Sequence, residues 1–155
     1  MSQDDKRAGL DAVMGRLYEV ISFPEGAAPD WQGLRDIFAP WARMTRITPE
    51  GVDALDLSGF ESMFMEMLEA GAVSAFYEYE VSRRTEMFGA VAHVLSAYET
   101  KRSPEARSAF GRGINSVQLL WNGAQWCIAG MLWDERLPRL SRVFEPMELI
   151  YDPAA

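Results

Sequence analysis

The segment Gly113–Arg136, GINSVQLLWNGAQWCIAGMLWDER, constrains the fold more than any other stretch. Asn122-Gly123 sits between two runs of strand-forming residues, and a two-residue turn of that composition supplies the positive φ angles a tight β-hairpin needs. Register follows by counting. With Trp121 opposite Ala124, Leu119 faces Trp126, Val117 faces Ile128 and Asn115 faces Gly130. One face is then apolar apart from Asn115, and the other carries Ser116, Gln118, Cys127, Ala129, Met131 and Trp133. Side chains alternate with a period of two, so a slip of one residue exchanges the two faces.

A length of 155 residues suits one domain with a substantial core, and 48% hydrophobic with 25% charged residues excludes wholesale disorder. The net charge of −8 argues against nucleic-acid binding, which needs a surplus of Lys and Arg to displace counterions from phosphates. No apolar run reaches the length of a membrane span, so no membrane association is expected. The start MSQDDKRAG lacks the apolar stretch of a signal peptide, which makes the cytoplasm the expected location. With one cysteine and one histidine, neither an intrachain disulfide nor a usual zinc site can form, and no metal or cofactor is expected.

Leu10, Val13, Met14, Leu17, Tyr18 and Ile21 recur at helical spacing and predict an amphipathic helix over Ala8–Ile21. Pro24, Gly26 and Pro29 make a loop, after which Asp30 caps a short helix with Trp31, Leu34, Ile37 and Phe38 on its apolar stripe. Pro40 ends that helix, Trp41–Thr48 alternates as a strand, and Pro49-Glu50-Gly51 breaks it. A third helix has capping-box spacing at Ser58 and Glu61, a second possible cap at Asp56, and an exit at Gly71. From Ala75 the text reads as two long strands turning near Phe88-Gly89, then a polar loop and the hairpin. Helices followed by a meander predict an α+β fold: a conical barrel of a strongly curved, mostly antiparallel sheet with three helices on its concave face. Residues 1–136 form the single domain, and 137–155 a tail packing on it or on a dimer partner.

The strand text FGAVAHVLSAYE, the block GINSVQLLWNGAQWCI followed by WDE, and the order of elements resemble the SnoaL-like branch of the nuclear transport factor 2-like superfamily. The resemblance covers roughly residues 8–136. It implies a cone with a pocket at its wide end and a homodimer built on the outer sheet face. Because that superfamily includes isomerases, dehydratases, cyclases and transport factors, the resemblance speaks to fold and leaves activity open.

Histidine is the residue type whose unperturbed pKa lies nearest neutrality. His93, the single one in the chain, is therefore the candidate general base, oriented by Glu80, against the plainer reading of an exposed or interface histidine within a charged sheet face. If the turn is Phe88-Gly89, it pairs with Arg84, and Glu80 and Glu86 share its face. Tyr18 lies on the buried side of the first helix. The resemblance implies that it could donate to an oxyanion, but the first strand supplies Arg43, Thr45 and Arg46 where a carboxylate base would be needed. Glu78 and Glu80 point the same way and read as an ion-pair face with Arg83, Arg84 and Lys101. Asn115 is the foremost ligand-contact candidate, an amide able to orient a carbonyl or hydroxyl, and reads equally well as an asparagine satisfying backbone groups at a strand start. Trp41, Phe60, Phe64, Tyr98 and Trp126 are candidate apolar pocket walls, and core packing explains them equally well. Ser116, Gln118, Cys127, Met131 and Trp133 form a half-apolar face that fits a dimer interface. Cys127 itself reads as a small packing residue. A small-molecule pocket protein is the expected function, with proton transfer beside a carbonyl as the enzymatic alternative.

Overall fold

A computed structural model of the chain describes residues 1–134, so the tail at 137–155 lies outside the described residues. Helix α1 spans Gln3–Ile21 and starts a turn before the apolar pattern does. Ser2 Oγ accepts from the Asp5 backbone N–H at 3.0 Å while the Asp5 carboxylate accepts from Ser2 N at 3.1 Å, a capping box in a stretch with no apolar residue to announce it. Leu10, Met14, Leu17, Tyr18 and Ile21 are buried along one stripe, as expected. Helix α2 (Trp31–Ile37) is capped by Asp30, which accepts from Gly33 N at 2.9 Å. Phe38, assigned from sequence to this helix, instead opens strand β1 (Phe38–Thr48).

Pro40 lies inside β1. It has no N–H to give the ladder, and pairing is irregular between Phe38 and Arg43. Strand β2 (Gly51–Leu55), which the sequence showed only as a break, folds back on β1 with Thr48 opposite Gly51. Helix α3 (Leu57–Glu69) takes Asp56 as its cap, with Oδ1 2.7 Å from Gly59 N, rather than the Ser58–Glu61 box. Strands β3 (Tyr77–Phe88), β4 (Val91–Lys101), β5 (Gly111–Trp121) and β6 (Trp126–Asp134) follow. The sheet order is β2-β1-β6-β5-β4-β3, antiparallel throughout except for the β1–β6 pair. The architecture is therefore α+β, with three helices against one sheet face. Leu10, Met14, Leu17 and Phe60 from the helices join Val94, Val117, Leu119 and Ile128 from the strands in one core.

Two bulges decide which side chains face that core. In the hairpin the turn is four residues, Asn122–Gln125, because Asn122 Oδ1 accepts from both Ala124 N and Gln125 N at 2.9 Å. Trp121 thus pairs with Trp126 and Leu119 with Ile128, a shift of two that leaves the faces unchanged. Ala129 then bulges, for Gln118 pairs with Gly130 and Asn115 with Trp133. That odd residue turns Met131 and Trp133 inward and leaves Leu132 outside. Val81 does the same in β3, where pairing steps from Glu80↔Tyr98 to Ser82↔Ala97. Glu80 consequently shares the inner face with Ser96 and Tyr98. Phe88 pairs with Val91, so the turn is Gly89-Ala90 and His93 lies opposite Glu86, not Arg84.

Candidate functional site

Between α3, the β1–β2 hairpin and the inner faces of β3–β6 lies a cavity of about 1070 Å³. Its apolar wall includes Phe60, Met63, Phe64, Met67, Phe76, Met131 and Trp133. Phe60 packs edge-on against Trp133 at 6.0 Å, and Phe64 edge-on against Phe76 at 5.8 Å, so the wall is a connected aromatic surface. Two glycines on the inner face of β5 help to make the room. A Cβ on Gly113 would lie 2.7 Å from Tyr98 Oη, and one on Gly111 would lie 2.5 Å from Thr100 Oγ1. Tyr98 and Thr100 therefore lean across β5 over bare backbone. At the rim Arg46 pairs with Asp53 at 2.8 Å, beside Asp134 and Arg112.

The sheet side of the cavity ends in a buried polar chain. Asn115, 3% exposed, donates from Nδ2 to Tyr18 Oη at 3.2 Å. Tyr18 Oη shares a 2.6 Å hydrogen bond with Ser96 Oγ, and Ser96 donates to a Glu80 carboxylate oxygen. Arg83 Nε donates to the other Glu80 oxygen at 2.7 Å, and its Nη1 to Asp11 on α1 at 2.6 Å. Five links thus run from the cavity floor to the protein surface. Burial pushes the Tyr18 hydroxyl far above its ordinary acidity range and the Glu78 carboxylate adds to this, outweighing the opposing hydrogen bonds of Ser96 and Asn115. Tyr18 stays protonated.

Asn115, Phe60, Phe64 and Tyr98 line the cavity, and Tyr18 stands directly behind Asn115. Trp41 does not line it. It is 64% exposed, because the irregular pairing around Pro40 upsets the alternation expected of a plain strand. Trp126 is fully buried in the core, its Nε1 donating to Lys6 O at 2.8 Å, and it does not border the cavity. Met131 and Trp133, expected on the dimer face, are cavity walls because of the Ala129 bulge. Ser116 and Gln118 do lie on the outer face, while Cys127 is buried with Asn122 Nδ2 3.4 Å from its sulfur.

His93 is on the outer face as well, with Nε2 3.0 Å from Ser116 Oγ. Glu80, its expected orienter, is on the inner face. The pairing of those two in a catalytic site is therefore overturned. Of the expected ion-pair face, the Glu80–Arg83 pair is present at 2.7 Å, but on the inner side of the sheet: Glu78 lines the cavity and Glu80 belongs to the chain behind it. Sequence reasoning missed Ser96, whose signal was a small hydroxyl in an otherwise inward series of Ala92, Val94 and Tyr98. Among the described residues no group of three His, Cys, Asp or Glu side chains is placed to hold a metal ion. No described helix is long and apolar enough to cross a membrane.

No protein-family model matches the sequence, and no curated protein matches it. Solved structures do match the fold. A protein of unknown function with a cystatin-like fold from Nostoc punctiforme superposes with a TM-score of 0.68 at 12% identity, over 90% of this chain and 98% of that one. A nuclear transport factor 2-like protein of unknown function from Silicibacter pomeroyi gives 0.62 at 18% identity, over 88% of this chain and 100% of that one. A nuclear transport factor 2-like protein from Cytophaga hutchinsonii gives 0.62 at 12% identity, over 88% and 100%. The chain has the nuclear transport factor 2-like, cystatin-like cone fold. At such identities the likeness establishes the fold alone.

Proposed function

We propose that the chain is a cytoplasmic, SnoaL-like pocket protein that binds a small, largely apolar molecule. The observation that carries this reading is the cavity of about 1070 Å³ with an aromatic and methionine wall and a single amide, Asn115, at its buried polar end. A concave apolar site with few convergent polar groups is the usual form of a ligand site. The enzymatic alternative lacks the base it was built on, since His93 lies on the far side of the sheet from the cavity. Titration with the neutral fluorescent probe N-phenyl-1-naphthylamine tests the pocket. Saturable binding near one probe per chain is expected, and Met63→Trp, which fills the cavity, should abolish it without lowering the melting temperature. Wild-type protein that gives no saturable signal refutes the reading.

Homodimerisation through the outer sheet face belongs to the same proposal. Val91 and Leu132 are 64% and 43% exposed on that face, beside Ser116 and Gln118, a mixed surface of the kind partners cover. Light scattering should give twice the chain mass, and Leu132→Arg should halve it. A monodisperse wild-type monomer at high concentration ends the dimer reading.

A further inference from the structure

The buried chain behind the cavity has a fixed polarity, and that polarity reaches the ligand site. Arg83 donates to one oxygen of Glu80, which therefore stands as a carboxylate and only accepts. Ser96 has one hydroxyl proton, and it goes to Glu80. Ser96 Oγ must then be the acceptor in its 2.6 Å bond with Tyr18, which uses the single phenolic proton. The Tyr18 oxygen is left able only to accept, so the Asn115 group facing it is Nδ2. The amide orientation, normally ambiguous from shape alone, follows here from counting protons. Asn115 Oδ1 accepts from no described residue. Nor is it a sealed orphan, since only Ser82 Oγ and Thr85 Oγ1 are buried without a partner among the described residues. It opens on the cavity that Asn115 lines.

We propose that Glu80, acting through Ser96 and Tyr18, sets the Asn115 amide with its oxygen toward the cavity and so selects apolar ligands that carry a hydrogen-bond donor, such as a phenol or alcohol. This inference rests on the pocket reading above. Glu80 and Ser96 are positioning residues, because neither lines the cavity. A ligand offering only ether or ketone oxygens leaves Oδ1 unsatisfied, and a carboxylate would in addition face the Glu78 side chain on the same wall. The site therefore favours neutral donors.

Glu80→Gln reverses the chain without changing its shape. The substituted amide keeps an oxygen for Arg83 and turns an NH₂ toward Ser96. Ser96 must then donate to Tyr18, Tyr18 to Asn115 Oδ1, and the Asn115 amide presents NH₂ to the cavity. Ser96→Ala frees the Tyr18 proton for the same final step. Calorimetric titration at pH 7 with 2-naphthol and 2-methoxynaphthalene, which differ by the donor, reads the effect. Wild type should prefer the naphthol about tenfold, the worth of one hydrogen bond. Both variants should bring the ratio close to one, while the side-chain amide resonances of Asn115 shift. A wild-type ratio near one, or a tenfold ratio retained in both variants, overturns the inference and leaves the pocket standing. Failure of both probes to bind wild type overturns the pocket reading and this inference with it.

Discussion

Tyr18→Phe isolates the energetic role of the polar chain, because it removes one oxygen and keeps the ring. Tyr18 is 6% exposed and Ser96 is wholly buried, so neither loss is readily repaired by bulk water. Two terms are lost. The Tyr18–Ser96 bond is worth about 1 kcal/mol net, and Asn115 Nδ2, left facing a phenyl edge, costs about 1–3 kcal/mol as a buried donor without an acceptor. The sum is about 2–4 kcal/mol, or a fall of roughly 5–15 °C in melting temperature for a chain of this size. Urea unfolding followed by tryptophan fluorescence measures it. Replacing Asn115 by Leu in the Tyr18→Phe background should recover about 1–3 kcal/mol relative to additivity, because both partners are then apolar. A loss under about 0.5 kcal/mol, or strictly additive single changes, would refute the claim that these groups satisfy one another.

Gly113→Val should drive the Tyr98 ring off β5 and into the cavity, since even a Cβ would lie 2.7 Å from its hydroxyl; probe binding should weaken at least tenfold while far-ultraviolet circular dichroism is retained, and unchanged binding contradicts this. Gly33→Ala places a Cβ 2.5 Å from Asp30 Oδ2 and 2.7 Å from Val20 Cγ1, so the α2 cap must open and stability should fall by about 1–3 kcal/mol in urea melts. On the outer face burial pushes the Glu99 carboxyl up, but the Tyr79 hydroxyl at 2.7 Å, Arg112 and Lys101 outweigh it and hold the net value below its ordinary 4.5. Burial and that carboxylate push Tyr79 to about 12. A carboxyl lowered on folding stabilises above its unfolded value and loses that contribution as pH falls through the folded one. The stability gap between wild type and Glu99→Gln should be full at pH 7, begin to close below about 4.5 and vanish in stronger acid; a gap independent of pH contradicts the assignment.

What the sequence made legible was whatever a short period carries. The Asp30 cap, the buried stripe of α1 and the meander all follow from residue spacing, and the structure has them. The misplacements trace to single residues that break a period of two. One odd residue at Ala129 carried Met131 and Trp133 from the expected outer face to the cavity wall, and one at Val81 put Glu80 beside Ser96 instead of His93. Local composition does not announce a bulge, which depends on the pairing of two strands. Trp41 was misplaced by the irregularity at Pro40, and β2 was missed because GVDAL is a short edge segment with little alternation to read. The polar chain was the least legible part. Its links join residues 97 and 78 positions apart, and only the docking of α1 on the assembled sheet brings them together.

The same long links govern the order in which the chain can be assembled. Trp126 is tied to Lys6 across 120 residues, and β1 pairs in parallel with β6, the last described strand. During synthesis α1 emerges early with Leu10, Met14 and Leu17 ready for burial, but the core they join includes Val117 and Leu119 of β5 and Trp126 and Ile128 of β6. At about 5–20 residues per second, the helix waits roughly 6–24 s for that hairpin. Through that interval its apolar stripe is open to chaperones and to other nascent chains, and Tyr18, whose partner Ser96 comes with β4, meets Asn115 only when β5 arrives. A nascent chain halted before β5 should accordingly remain chaperone-bound, and release should coincide with closure of the β5–β6 hairpin.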